Sequence, residues 1–171
     1  TQRRNGWAGR AADALASMNS NTRLSMNISL SGSNLWQSAG SVIPYAVNPQ
    51  GLQNIRNLDR ALAPEDNANT RELARVRVLE NILTIPQEHI LTSAYAASLT
   101  KAWDLSDEVG VALENIADIQ TPYPEDNRLA SGLKMTANLM AARQTLGASR
   151  QTFFIGVGDF DTHGDQVRRH D

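Results

Sequence analysis

The residues best suited to chemistry lie close together in the last segment of the chain, residues 150–171. A short apolar run at residues 153–157 predicts a strand that is buried on both faces. This run ends at Gly158, and the acidic residues and histidines that follow it are Asp159, Asp161, His163 and His170. Ligands in open α/β sheets bind where strands end at their carboxyl edge. We therefore predict a functional site in this segment.

Asp161 and His163 are the pair that most favours a metal site. Carboxylate oxygen and imidazole nitrogen are donors that a divalent cation such as Zn²⁺ accepts at short range. The glycines around the pair permit tight backbone paths, so both side chains can converge on one ion. His170 follows His163 at helical spacing and is predicted either as a third ligand or as a group that supports a ligand. These residue types do not distinguish Zn, Mg, Ca and Mn.

The same residues also have an ordinary structural interpretation. Asp161 is a good helix cap, and His163 can hydrogen-bond to a backbone carbonyl. Two candidate ligands do not complete a site, because a catalytic zinc normally has three protein ligands and one open position. The sequence contains neither a nucleophile elbow nor a glycine-rich phosphate loop. It therefore assigns no catalytic residue.

Other polar and aromatic residues are predicted to have structural roles. His89 lies near a helix start and is interpreted as a capping or surface histidine. Asn27 and Ser29, on the polar side of an alternating strand, either line a cleft or form a wet sheet face. The three tryptophans are predicted to pack in the core rather than to bind a ligand: Trp7, Trp36 and Trp103.

Composition restricts the class of protein and of partner. The chain has 171 residues, of which 41% are hydrophobic and 20% charged, as in one globular domain. Lys plus Arg number 16 against 18 for Asp plus Glu, so no basic excess favours binding to nucleic acid. Cysteine is absent, which excludes disulfides, thiolate metal sites and a cysteine nucleophile. No apolar run reaches the ~20 residues of a membrane-spanning helix.

Hydrophobic periodicity predicts an α/β domain that is rich in helix and has about three strands. A helix is predicted at residues 6–18, a strand with one polar face at 24–30, and an edge strand or extended segment at 42–47, where Pro44 removes a ladder donor. Residues 49–147 are predicted to form a mainly helical block within a single domain of residues 1–171. Its helices are expected at 50–62, at 70–83, at about 86–116 as one long helix or two broken near 104–107, and at 125–146, ending at Gly147.

The two ends of the chain predict a piece of a longer protein. Thr1 is not a start methionine, and residues 164–171 resemble the first turns of an unfinished helix. The alternative interpretation is a small mature protein with ragged ends.

Three stretches of the chain resemble a known bacterial family. Residues 5–13 (NGWAGRAAD), residues 24–32 (LSMNISLSG) and the residues from Arg150 to Gly164, with their Phe-Asp-Thr-His-Gly motif, are similar to the domain of unknown function 1501. That family is placed with the alkaline phosphatase and sulfatase superfamily. The resemblance implies an alkaline-phosphatase-like α/β sandwich with metal ions at the carboxyl ends of its strands. Asp161 and His163 match metal ligands of that superfamily.

The resemblance also implies a function and a location. We expect a metal-dependent hydrolase that acts on a small phosphate or sulfate ester, exported by the twin-arginine route to the periplasm or the cell surface. The family's nucleophile strand would precede Thr1 and its later Asp-His-Gly motif would follow Asp171, so little activity is expected from these residues alone. The alternative is a non-catalytic binding or scaffold protein that retains the fold.

Overall fold

The computed structural model describes residues 5–51, 70–158 and 164. The chain forms two compact units, one of residues 1–50 with 117–171 and one of residues 51–116. The first unit contains a three-stranded parallel sheet and two α-helices, and the second contains two α-helices among its described residues. This mixture of helix and parallel sheet confirms the predicted α/β class and the predicted number of strands.

The sheet consists of strands β1 (Asn27–Ser29), β2 (Tyr45–Ala46) and β3 (Thr152–Phe154), in the order β2-β1-β3. Both pairings are parallel, with Ile28 opposite Tyr45 on one side and opposite Phe153 on the other. β2 lies at an edge of this sheet, as Pro44 immediately before it predicts. β3 differs from the prediction, because its three residues are half-buried rather than covered on both faces.

Helix α1 (Trp7–Leu15) is followed by a 3₁₀ turn at Ala16–Met18, which confirms the predicted helix. Its buried residues are small: Ala8, Gly9 and Ala12. The large side chains that periodicity places on the inner face are exposed instead: Trp7, Leu15 and Met18. A Cβ atom on Gly9 would overlap the carbonyl oxygen of Ser38. The helix therefore packs with its backbone close to the 35–39 segment, where only small residues fit.

Helix α4 (Arg128–Ala141) shows the same preference for small residues at the packed face. Its buried residues are Ala130, Gly132, Met135 and Leu139. Gly132 lies against Ile155, since a Cβ there would stand 3.0 Å from the Ile155 side chain. Helical periodicity predicts an inner stripe that includes Leu129, Leu133 and Met140, but these three side chains are 41–51% exposed, so the prediction is wrong for them. Gly147, at φ 60°, ends the turns that follow the helix, as predicted.

The second unit contains helices α2 (Thr70–Thr84) and α3 (Ile90–Glu114), which contact each other. α3 is one continuous helix, so the predicted alternative of a break near residues 104–107 is wrong. The predicted helix at 50–62 falls almost entirely on residues that are not described. None of the described helices is both long enough and apolar enough to cross a membrane.

Candidate functional site

The carboxyl ends of β1 and β3 meet at one edge of the sheet. The chain passes from β1 to a neighbour on one side, β2, and later returns to the other side as β3. A reversal of this kind in a parallel sheet creates a crevice at the carboxyl edge, where ligands bind. The β1–β3 edge is therefore the candidate functional site of the first unit.

Hydrogen bonds continue past the carboxyl ends of β1 and β3 and join the two segments that follow these strands. The N–H of Leu30 donates to the carbonyl of Phe154 over 2.8 Å. The N–H of Gly156 donates to the Oγ of Ser31 over 2.7 Å. Ser31 is exposed, and its hydroxyl joins the segment after β1 to the segment after β3.

A cleft of about 310 Å³ opens where β3 ends. We call it the edge cleft; its lining residues come from the start of α4 and from the segment after β3, and they are Asp126, Asn127, Arg128, Leu129, Gly156, Val157 and Gly158. The chain leaves this cleft at Gly158 and continues to Asp159. The edge cleft therefore ends three residues before Asp161 in sequence.

Charges of both signs line the edge cleft. The side-chain oxygen of Asn127 caps α4 by accepting from the N–H of Ala130 over 2.9 Å. The positive end of the helix dipole and the exposed guanidinium of Arg128 favour an anion here. The exposed carboxylate of Asp126, held at φ 56°, opposes an anion and favours a cation. The positive and negative groups of the edge cleft together match a ligand that carries a negative group and an associated cation.

A buried polar layer supports the sheet beneath the loop at residues 32–38. Asn27, Ser29 and Gln37 are completely buried. Gln37 donates through Nε2 to the carbonyl of Ile28 over 3.0 Å, and Asn27 donates through Nδ2 to the carbonyl of Gln37 over 3.2 Å. The hydroxyl of Thr152 donates to the side-chain oxygen of Asn27 over 2.5 Å. Both sequence interpretations of Asn27 and Ser29, a cleft lining and a wet face, are wrong because this loop covers them.

Gln37 and Asn34 fix the covering loop from within. The side chain of Asn34 accepts from the N–H of Gln37 over 2.8 Å and donates to its Oε1 over 2.9 Å. Sequence reasoning missed Gln37 because a single glutamine between polar residues carries no periodic signal. The start of α4 could be predicted from the sequence, because the helix-capping residue Asn127 follows shortly after Pro122 and Pro124.

Two of the three tryptophans are not in the core, which contradicts the prediction for them. Trp7 is 64% exposed and Trp36 is 38% exposed. Trp103 is only 6% exposed, which confirms the prediction that this tryptophan packs in the core. The Trp7 and Trp36 rings stack with centroids 6.0 Å apart. The ring of Trp36 also contacts Phe154, the last residue of β3, at 6.1 Å. The reason is the close approach of α1 described above, which leaves no room for an indole on the packed face.

Asp13 ties α1 to the segment that leads into β2. Its carboxylate accepts from the Oγ of Ser41 over 2.6 Å and from the backbone N–H groups of Gly40, Ser41 and Val42 over 2.8, 3.0 and 3.1 Å. The hydrogen bond from the Ser41 hydroxyl, followed by those from the backbone, holds the pKa of Asp13 well below its usual range. This carboxylate is therefore occupied with structural hydrogen bonds.

The predicted metal residues Asp161, His163 and His170 lie outside the described residues, as does Asp159. Within residues 5–51, 70–158 and 164, no group of three or more His, Asp or Glu side chains is arranged to hold a metal ion. His89 is the cap of α3, and its Nδ1 accepts from the N–H of Leu91 over 3.2 Å. The prediction of a capping histidine is confirmed.

Comparison of the chain with protein-family models, with curated proteins and with solved structures finds no match. The resemblance to the domain of unknown function 1501 stays a prediction, carried by the motifs of the sequence.

Proposed function

We propose that this protein is a metal-dependent hydrolase of phosphate or sulfate esters with an alkaline-phosphatase-like fold, and that Asp161 and His163 are two of its metal ligands. One observation carries the proposal. β1 and β3 are adjacent and parallel, and the chain leaves their common carboxyl edge at Gly158, three residues before Asp161. Ligands in parallel sheets bind at this edge, and the predicted ligands follow it closely in sequence.

The donor set fits a divalent cation. Carboxylate and imidazole suit Zn²⁺ and related ions, with His170 as a third donor in the same segment. A bound cation would supply Lewis-acid stabilisation of the charge on the transferred group and activation of the attacking oxygen. The guanidinium of Arg128 and the N–H groups at the start of α4 would hold the negative oxygens of the ester. The carboxylate of Asp126 would attract the cation.

Metal binding by the 171-residue chain is the direct test. We expect wild-type protein, dialysed against Zn²⁺ or Mn²⁺ and analysed for metal, to retain the ion, and the Asp161→Ala and His163→Ala variants to lose it. His89→Ala is the matched control, because His89 is an exposed capping histidine in the other unit. Unchanged metal content in both ligand variants would refute the proposal.

Hydrolysis is measured separately with 4-nitrophenyl phosphate and 4-nitrophenyl sulfate. The sequence assigns no nucleophile among these 171 residues, so bound metal with slow or no turnover is the expected result. Export to the periplasm or cell surface is part of the same proposal. It is tested by locating the protein in cell fractions with and without an active twin-arginine pathway.

A non-catalytic scaffold is the second candidate, and one observation favours it. α3 begins with large apolar side chains that are at least 70% exposed: Ile90, Leu91 and Tyr95. Exposed apolar clusters often mark contacts with partners. Retention of metal without cleavage of either ester by any longer form of the protein would favour this candidate.

A further inference from the structure

Helix α4 carries a row of large apolar side chains outside its packed face. Leu129, Leu133 and Met140 are 41%, 47% and 51% exposed. They follow one another at steps of four and seven residues, so they form one row that runs for about 16 Å along the helix. We call this row the outer stripe of α4.

α4 is therefore apolar on two faces. Its packed face consists of Ala130, Gly132, Met135 and Leu139, which are buried. A Cβ on Gly132 would stand 3.0 Å from the side chain of Ile155, so the helix cannot turn the outer stripe inward without losing this close approach. A helix with apolar residues on most of its circumference is normally covered on more than one side, and clustered exposed apolar side chains mark contact sites. The outer stripe has these features of a docking surface.

The charges beside the outer stripe are positive. Lys134 is exposed and directly follows Leu133. Arg143 is exposed, and its Nη1 donates to the carbonyl of Met140 over 3.2 Å, which places this guanidinium beside the last residue of the stripe. No acidic residue occurs between positions 127 and 158 of the sequence. A partner surface that carries carboxylates complements this side of α4.

The form of the outer stripe selects the kind of partner. A single row of apolar side chains, three turns long, matches the apolar row of one amphipathic helix, which packs at the same spacings of three, four and seven residues. α4 of a second copy would bring Lys134 and Arg143 against their own counterparts, and like charges oppose that contact.

A lipid surface fits the outer stripe less well than a helix does. Side chains that anchor a helix to a membrane enter it to a depth of about 5–10 Å. About half of each side chain in the outer stripe is held against the first unit, so little of it can enter a bilayer. An acidic amphipathic helix of another protein is therefore the occupant that the charges and the shape favour.

We propose that the outer stripe of α4 is a docking site for an acidic amphipathic helix of a partner protein. The apolar row of that helix covers Leu129, Leu133 and Met140, and its carboxylates face Lys134 and Arg143. The docking site is independent of the proposed metal ligands.

The test measures binding of two designed helical peptides to the 171-residue chain by fluorescence anisotropy. The acidic probe has leucines at helical spacing in one row and glutamates on both sides of that row. The basic probe has a lysine in place of each glutamate, so the two probes share the apolar row and differ in charge. We expect the acidic probe to bind saturably and the basic probe to bind about tenfold more weakly, because its charges repel those beside the stripe.

Met140→Ser and Met18→Ser are a matched pair of variants. Both methionines lie in the first unit and both are 51% exposed, so the two substitutions remove equal apolar surface. Met140→Ser should weaken binding of the acidic probe by about fivefold, because the probe covers this side chain in the complex. Met18→Ser should leave the binding unchanged.

Lys134→Glu combined with Arg143→Glu tests the role of charge. Both side chains are exposed, so the double variant should keep the circular dichroism spectrum of the wild type. It should reverse the preference, so that the basic probe binds more tightly than the acidic probe.

Three results would overturn the docking site: no saturable binding of the acidic probe, equal binding of both probes, or equal effects of the two methionine variants. Binding of the chain to phosphatidylglycerol vesicles that Met140→Ser abolishes, without binding of the acidic probe, would assign the outer stripe to a membrane surface instead. Sedimentation that shows dimers of the wild type and monomers of Met140→Ser would assign it to a second copy instead.

Discussion

Replacement of Gln37 tests whether the buried polar layer holds the loop at residues 32–38 on the sheet. Gln37 is completely buried and donates to the carbonyl of Ile28 over 3.0 Å. Gln37→Met keeps most of the side-chain volume and removes this donor. One lost side-chain hydrogen bond costs about 0.5–1.5 kcal/mol of the free energy of unfolding, so a loss in this range is expected.

Gln37→Ala should cost more, because it adds an empty volume to the lost hydrogen bonds. We expect a total loss of about 3 kcal/mol or more, combining the lost side-chain hydrogen bonds with the cavity. For a chain of 171 residues this corresponds to a fall in Tm of about 6–12 °C. Since Trp36 lies on the same loop, its fluorescence should also change, with a shift toward the spectrum of a water-exposed indole.

Urea unfolding followed by circular dichroism measures the free energy of unfolding. Tryptophan emission reports how far the Trp36 indole on the loop is exposed to water. Gln144→Ala is the control, because Gln144 is exposed in the same unit and a substitution there should stay within about 0.5 kcal/mol of wild type. The reasoning fails if Gln37→Ala matches this control in stability and leaves the emission spectrum unchanged.

Two further predictions concern the attachment of α1. The pKa of Asp13 is depressed, so its stabilising contribution is complete above the ordinary value of 3.8 and is lost as pH falls through the folded-state pKa. Asp13→Asn should therefore lower the free energy of unfolding at pH 7, and its difference from wild type should shrink below about pH 4. A difference that stays constant from pH 7 to pH 2, or that equals the difference for the exposed control Glu125→Gln, would contradict this cause. Gly9→Ala should destabilise the fold by about 1–3 kcal/mol or more, because the new Cβ overlaps the Ser38 carbonyl. Gly158→Ala is the control and should change stability little, because a Cβ there meets nothing within 4 Å. Equal stability of the two variants in thermal unfolding would count against the close approach of α1 to the 35–39 segment.

The periodicity of the sequence determined which elements form. Alternation at residues 24–30, the asparagine and glycine signals at helix ends, and the proline at position 44 predict β1, α1, α3, α4 and an edge strand, and the structure confirms each of them. These signals are local, since a cap or a turn residue acts on its own few neighbours. Local physics therefore sufficed for the class of fold and the approximate bounds of the described helices.

The direction in which elements face was decided by tertiary packing. Periodicity gives most weight to large apolar side chains, and it selected Trp7 on α1 and Leu133 on α4 as inward residues. The folded unit instead buries Ala8 and Gly132 at those helices, because the helix backbones approach their neighbours closely. Contacts between residues far apart in sequence set that distance, and no local pattern contains it.

The candidate site divides in the same way. The glycine-rich exit from a strand, followed by Asp161 and His163, determined the predicted chemistry from the sequence alone. The contact of Trp36 with Phe154 and the hydrogen bond of Thr152 to the buried Asn27 form only because β1 and β3 pair side by side, although Asn27 and Thr152 are 125 residues apart in the chain. Their partners come from distant segments, and only the assembled sheet brings those segments to one edge.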